Sequence, residues 1–197
     1  MSRAGRQRFQ SSAYTASMKT LVSLMLFAVL SASAADNPPA NPVNDRWGRV
    51  RFLLGSWEGS ATGEPGKGTV ERTYALVLGG QFIEEHNTSR YEAKGPGLKP
   101  EIDHHRGFIS YDKARKTFML RHFYEEGIVS LYALNTDKSM ASYLIFDSVS
   151  YENFGNDWKS RHSYEVISPD EFVETFELAE PGKDFVEYSR NHFKRKK

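Results

Sequence analysis

Hydrophobic and polar positions change period at Gly55. Before it, Trp47, Val50 and Leu54 fall at i, i+3 and i+7, the spacing of one helical face. This predicts a short helix over residues 46–54, capped by Asn44 or Asp45. Gly55 then suits a junction that needs a left-handed backbone. After it the period is two, from Ser56-Trp57-Glu58-Gly59-Ser60-Ala61 onward. Alternating runs are predicted as strands over 56–62, 69–78, 81–91, 106–111, 117–124, 127–134, 140–149, 157–167, 171–179 and 184–193. Turn residues separate them: Gly63-Glu64-Pro65-Gly66, Gly79-Gly80, Asp112-Lys113, Glu126-Gly127, Asn135-Thr136-Asp137, Phe154-Gly155-Asn156, Ser168-Pro169-Asp170 and Pro181-Gly182. Residues 93–105, with Gly95-Pro96-Gly97 and Pro100, read as a surface loop. No interval holds a long helix, so parallel crossovers are not expected. The predicted fold is all-β: a single antiparallel up-and-down barrel of about ten strands, preceded by a short helix.

The first 35 residues follow another pattern. The apolar run Leu21–Leu30 lies between Lys19 and the small residues Ser31-Ala32-Ser33-Ala34-Ala35. This is the layout of a secretory signal peptide with cleavage near Ala34 or Ala35, and Met18 is the expected start of translation. The run is shorter than the roughly 20 residues of a membrane span, so no stable span is expected after cleavage. Residues 36–43, with Pro38, Pro39 and Pro42, read as a stiff linker, and 44–197 as the barrel domain. The expected location is periplasmic or secreted. There is no cysteine, hence no disulfide framework and no thiolate metal site. Residues 1–35 hold Arg3, Arg6, Arg8 and Lys19 and no acid, so the remainder of this +1 chain is weakly acidic. It offers no basic stripe for nucleic acid, and the tail Lys194-Arg195-Lys196-Lys197 reads as a solvated end.

A closed barrel of ten strands encloses more space than one of eight, which already holds a small ligand. Its strands also place polar groups among apolar ones. Trp158, Ser160, His162, Tyr164 and Val166 share a face opposite the charged Lys159, Arg161 and Glu165, so His162 and Tyr164 are expected inside. Glu174 is the polar member of the face Phe172-Glu174-Phe176-Leu178. Burying such groups unpaired costs about 1–3 kcal/mol each. An amphipathic cavity removes the difficulty, as would mutual pairing of these groups or a place near the barrel mouths. The expected partner is therefore a small hydrophobic or amphipathic molecule. Candidate ligand-binding residues are Trp57, Arg72, His86, Arg121, Tyr132, His162, Tyr164, Glu174, Tyr188 and Arg190. Tyr188 and Arg190, two apart, could cradle an anionic head, or Arg190 could pair with glutamates on the outer surface. His104-His105 with Asp103 is a weak divalent-metal cluster, and Glu84, Glu85 and Glu174 are candidate acid–base carboxylates. No G-x-S-x-G elbow or phosphate-binding glycine loop occurs, and no residue is assigned a catalytic role.

The segments LLGSWEG, ERTYALVLGGQFIEE and RGFISYDKARKTFMLRHFYEEGIVSLYAL resemble the calycin-type barrels, in which a short helix leads into an L-x-G-x-W-x-G first strand. Leu78-Gly79-Gly80-Gln81-Phe82 and Gly107–Asp112 are similar to a bacterial family of unknown function, and more distantly to nitrobindin-type haem barrels. The resemblance spans residues 52–193. It implies a ligand-holding barrel of the lipocalin or fatty-acid-binding kind, and as an alternative a haem barrel with His192 as iron ligand. An enzyme acting on a lipid-like or aromatic substrate in the same cavity is a third reading.

Overall fold

The computed structural model describes residues 46–155 and 157–197. The predicted signal segment, the Met18 start, the linker and the Asn44/Asp45 cap lie outside the described residues. Ten strands follow one another: β1 (Gly55–Gly63), β2 (Gly68–Val77), β3 (Phe82–Tyr91), β4 (Glu101–Asp112), β5 (Thr117–Tyr124), β6 (Val129–Leu134), β7 (Tyr143–Glu152), β8 (Lys159–Ser168), β9 (Glu171–Ala179) and β10 (Val186–Arg195). Each pairs antiparallel with its neighbours in sequence, and β1 pairs with β10 to close the barrel. Closure leaves no free sheet edge. Among the described residues no helix is long and apolar enough to cross a membrane.

Two expectations need correction. The predicted helix over 46–54 is a series of turns ending in one 3-10 turn, Arg51–Leu53. Trp47, Val50 and Leu53 still face inward together, because a tight turn of three residues also brings such positions to one side. Gly55 has φ +120, a backbone that side chains disfavour, but it opens β1 and caps no helix. The second correction is at the predicted loop 93–105. β4 begins at Glu101, which pairs with Tyr91, so the loop is shorter than the Gly/Pro signals implied.

The turns of residues 46–54 close one end of the barrel. Trp47 stacks on Phe118 at 5.9 Å, and Phe52 meets Phe172 edge-on at 5.7 Å. Trp57 donates from Nε1 to the Leu53 carbonyl at 2.7 Å and packs edge-on against Phe172 at 4.7 Å. With Leu53, Ile83, Leu120, Leu144, Phe146 and Phe193 these side chains form a dry core. Trp57 is therefore a packing residue of the closed end rather than a lining residue of a cavity.

Arg195 fastens this plug. Its guanidinium donates to the Leu54 carbonyl at 2.7 Å, to Phe52 at 3.2 Å and to Pro169 at 2.8 Å, pairs with Asp170 at 2.8 Å, and lies 4.2 Å from the Trp57 ring centre. The tail read as solvated thus holds a structural residue, and Lys196 adds an exposed pair with Glu71. Hydrogen bonds from a charged donor contribute about 1.5–3 kcal/mol, so Arg195→Ala is expected to lower stability by about 2 kcal/mol or more in urea unfolding. An unchanged midpoint would show that the plug holds without it.

Candidate functional site

The end opposite the plug opens into a cavity of about 600 Å³. Alternation along each strand decides what enters it. On β3 the inward set is Ile83, Glu85, Asn87, Ser89 and Tyr91, and on β5 it includes Leu120, His122 and Tyr124. From β8 come Ser160, His162 and Tyr164, from β9 Phe172 and Glu174, and from β10 Ser189, Asn191 and Phe193. Polar members of these sets meet where the cavity reaches the dry core.

Arg72 of β2 is the centre of that floor. Its Nη1 lies 2.8 Å from Glu174 Oε2, and its Nε lies 3.3 Å from Glu85 Oε1. It also donates to Asn87 Oδ1 at 2.9 Å and to the Tyr74 hydroxyl at 3.2 Å, and its guanidinium carbon lies 4.7 Å from the Phe193 ring centre. Arg72 and both carboxylates are almost wholly buried. Burial opposes the charge on each. The mutual attraction outweighs it, so Glu174 and Glu85 are held well below the usual carboxylate range and Arg72 well above its ordinary value.

Each carboxylate also holds a histidine. Glu85 lies 2.9 Å from His105 Nε2 and 3.4 Å from His122 Nε2, and the other His122 nitrogen is 3.3 Å from the Tyr124 hydroxyl. Glu174 lies 3.1 Å from His162 Nδ1 and accepts from Asn191 Nδ2 at 3.1 Å. Burial lowers His105 to about 4, against the opposing hydrogen bond to Glu85. It lowers His162 likewise, against Glu174. Both imidazoles are neutral near pH 7. A neutral His162 whose Nδ1–H is fixed by Glu174 presents Nε2 as an acceptor of a hydrogen bond or a proton.

Above this floor the wall is aromatic, with Tyr124, Tyr132, Tyr151, Trp158, Phe176 and Tyr188. Ser160 donates to the Tyr132 hydroxyl at 3.1 Å and lies 2.6 Å from that of Tyr151. Burial pushes Tyr132 up to about 12, so its phenol stays protonated. The mouth carries Glu101, Asp103 and Glu126 with Lys94. Burial, then the charges of Glu126, Glu125 and Glu101, raise the Asp103 carboxyl.

Of the residues singled out from sequence, Arg72, Tyr132, His162, Glu174 and Tyr188 line this cavity. Tyr164 is buried beside it, its ring 6.4 Å from that of His162. Four others face outward. His86 meets Glu84 at 3.1 Å and accepts from Arg106 at 2.6 Å, while Arg121 donates to Ser110 Oγ at 3.1 Å. Arg190 pairs with Glu187 at 2.8 Å, and His192 pairs with Glu171 at 2.6 Å. A bulge between Glu187 and Ser189 breaks the alternation on which the Tyr188–Arg190 cradle rested: Tyr188 reaches the mouth and Arg190 the surface. His192 is 46% exposed on the outer face, so it does not fit as the ligand of a haem iron inside the barrel.

Sequence reasoning left Asn87, His122 and Asn191 out of the site, and named Glu85 and His105 only in weaker clusters. One signal was available. Gly107 of β4 sits opposite Glu85 and His122, where a Cβ would lie 2.8 Å from His122 Cδ2 and 3.0 Å from Glu85 Oε2. A glycine inside a strand marks such a close approach. The His104-His105 pair is split, with His104 bonded to Thr88 Oγ1 on the outside. Glu85, His105 and His122 bring ligand atoms within 4.8 Å of one another, a set that suits a divalent metal in residue type. Arg72 already occupies that carboxylate with a positive charge.

No family model matches the chain, and no curated protein does. Among solved structures, Rv2717c from M. tuberculosis is similar with a TM-score of 0.57 and 16% identity, over 78% of this chain and 99% of that one. This likeness shows the barrel fold. A protein of unknown function of the DUF3598 family from Nostoc punctiforme aligns at a TM-score of 0.28 and 8% identity, over 78% of this chain and all of the other.

The buried network makes stability depend on pH. Between the ordinary histidine value of 6.5 and about 4, the unfolded chain binds a proton that His105 in the fold does not. Stability from this group therefore falls as pH drops through that window, on the order of 3 kcal/mol in all. His162 acts in the same direction. Below the ordinary carboxyl value of 4.5, Glu85 and Glu174 lose their contribution as well. Urea midpoints are expected to fall from pH 7.5 to pH 4.5, less steeply in His105→Gln. A midpoint independent of pH would contradict the assignment.

Proposed function

We propose that this protein is an exported barrel that carries a small amphipathic organic molecule in its cavity, in the manner of calycin-type carriers. One observation carries the reading: a cavity of about 600 Å³ with an aromatic wall ends on a fixed floor of buried charges. Ligand pockets of this size combine apolar walls with a few placed polar groups. Removing two carboxylates and a guanidinium from water costs several kcal/mol per ion, so the cluster is a poor device for stability alone. The signal-like segment before Ala35 supports a role outside the cytoplasm.

Native mass spectrometry on the protein purified from a periplasm tests this. A co-purified organic mass is expected, together with quenching of Trp158 fluorescence when that molecule is added back. Ser130 is buried in the cavity wall, and Ser130→Trp would fill part of the space. A loss of affinity of at least tenfold is expected, with an unchanged far-ultraviolet circular dichroism spectrum. A folded protein that neither retains a ligand nor binds apolar probes would overturn the carrier reading.

A further inference from the structure

The floor specifies the ligand's polar end more closely than its size does. An ionised carboxylate only accepts hydrogen bonds. Glu174 therefore receives the Nδ1–H of His162, and Glu85 the Nε2–H of His105. A neutral imidazole then has a lone pair on its other nitrogen. Those two atoms, His162 Nε2 and His105 Nδ1, are buried without a partner. Asn191 turns its amide N–H₂ to Glu174, which leaves its carbonyl oxygen, Oδ1, also buried without a partner. Three cavity-lining side chains thus carry unmatched acceptors. What they lack is a donor.

Charge points the same way. Glu85 and Glu174 oppose the single guanidinium of Arg72, so these three groups sum to one negative charge. Arg72 is already paired with both carboxylates and is not free to receive an anion. At the mouth, Glu101, Asp103 and Glu126 outnumber Lys94. The wall between is rich in tyrosine and tryptophan, whose ring faces attract cations. A fatty-acid carboxylate would meet an excess of like charge at the mouth and unmatched acceptors at the floor.

We propose that the molecule held in this cavity has a cationic nitrogen head with several N–H donors, an ammonium or amidinium, seated against His162, Asn191 and Glu174 with its apolar body along the aromatic wall. This rests on the carrier reading above and names the class of ligand. The head group supplies donors to the unmatched His162 Nε2 and Asn191 Oδ1 and offsets the excess carboxylate. A buried polar atom left without a partner otherwise keeps its desolvation penalty uncompensated.

Three probes of one shape separate the alternatives: 4-phenylbutylamine, 4-phenylbutan-1-ol and 4-phenylbutyrate, titrated calorimetrically into the whole folded protein at pH 7.5. The amine is expected to bind at least tenfold more tightly than the carboxylate, with the alcohol between them. Glu174→Gln is expected to erase most of that preference. Because that change lies in a buried network, the exposed mouth supplies a second variant. Glu126→Gln is expected to weaken the amine a few-fold and leave the alcohol unchanged. If the carboxylate or the alcohol binds as tightly as the amine, the head-group assignment falls and the carrier reading stands. If none of the three binds at millimolar concentration, both fall.

Discussion

The pairing of Arg72 with Glu85 and Glu174 is the constraint on which the rest of the interior depends. One guanidinium, buried in the middle of the barrel, joins β2 to β3 and β9. Three ions in so little water are tolerable only if nearly every donor and lone pair is matched. That requirement fixes the neighbours. Asn87 and Tyr74 complete the guanidinium, His105 and His122 complete one carboxylate, and His162 and Asn191 complete the other. The orientation of each imidazole follows from the carboxylate it serves.

This cluster also divides the barrel into two regions with different physics. Below it, Trp57, Phe172 and Phe193 pack with the plug of residues 46–54 in a dry core that closes one end. Above it, Tyr132, Trp158 and Phe176 leave space rather than filling it. Arg72 touches both regions, since its guanidinium lies over Phe193 while its donors point to the carboxylates. A rigid, fully packed end beneath a polar floor holds the floor's groups at fixed positions, which is what a binding site requires.

Much of the fold was legible in the sequence, because period two, turn residues and the glycine at 55 are local signals. β5 and β9 have the predicted limits, and most other strands differ by one to three residues at an end. β4 was harder: its start, Glu101–His105, is polar at every position but Ile102 and follows Gly and Pro, so nothing local marks it as a strand. At the site, β8 was clear because one face is charged, which sends His162 and Tyr164 inside. β3 was not, because Glu84 and Glu85, and likewise His86 and Asn87, put polar groups on both faces. Only the register with Gly107 distinguishes them. The bulge at Tyr188 is likewise invisible to a strict alternation, and it moves Arg190 from a cradle to the surface. Charges that pair across three strands leave no spacing in the sequence at all.

The central claim is that the floor is a set of ionised carboxylates with His105 and His162 neutral and fixed between them and the cavity. Nitrogen-15 NMR of the histidine rings at pH 7 tests it most directly. The account predicts a neutral His162 protonated on Nδ1 and a neutral His105 protonated on Nε2, the opposite tautomers in one protein. An imidazolium at either position, or His162 protonated on Nε2, would contradict it.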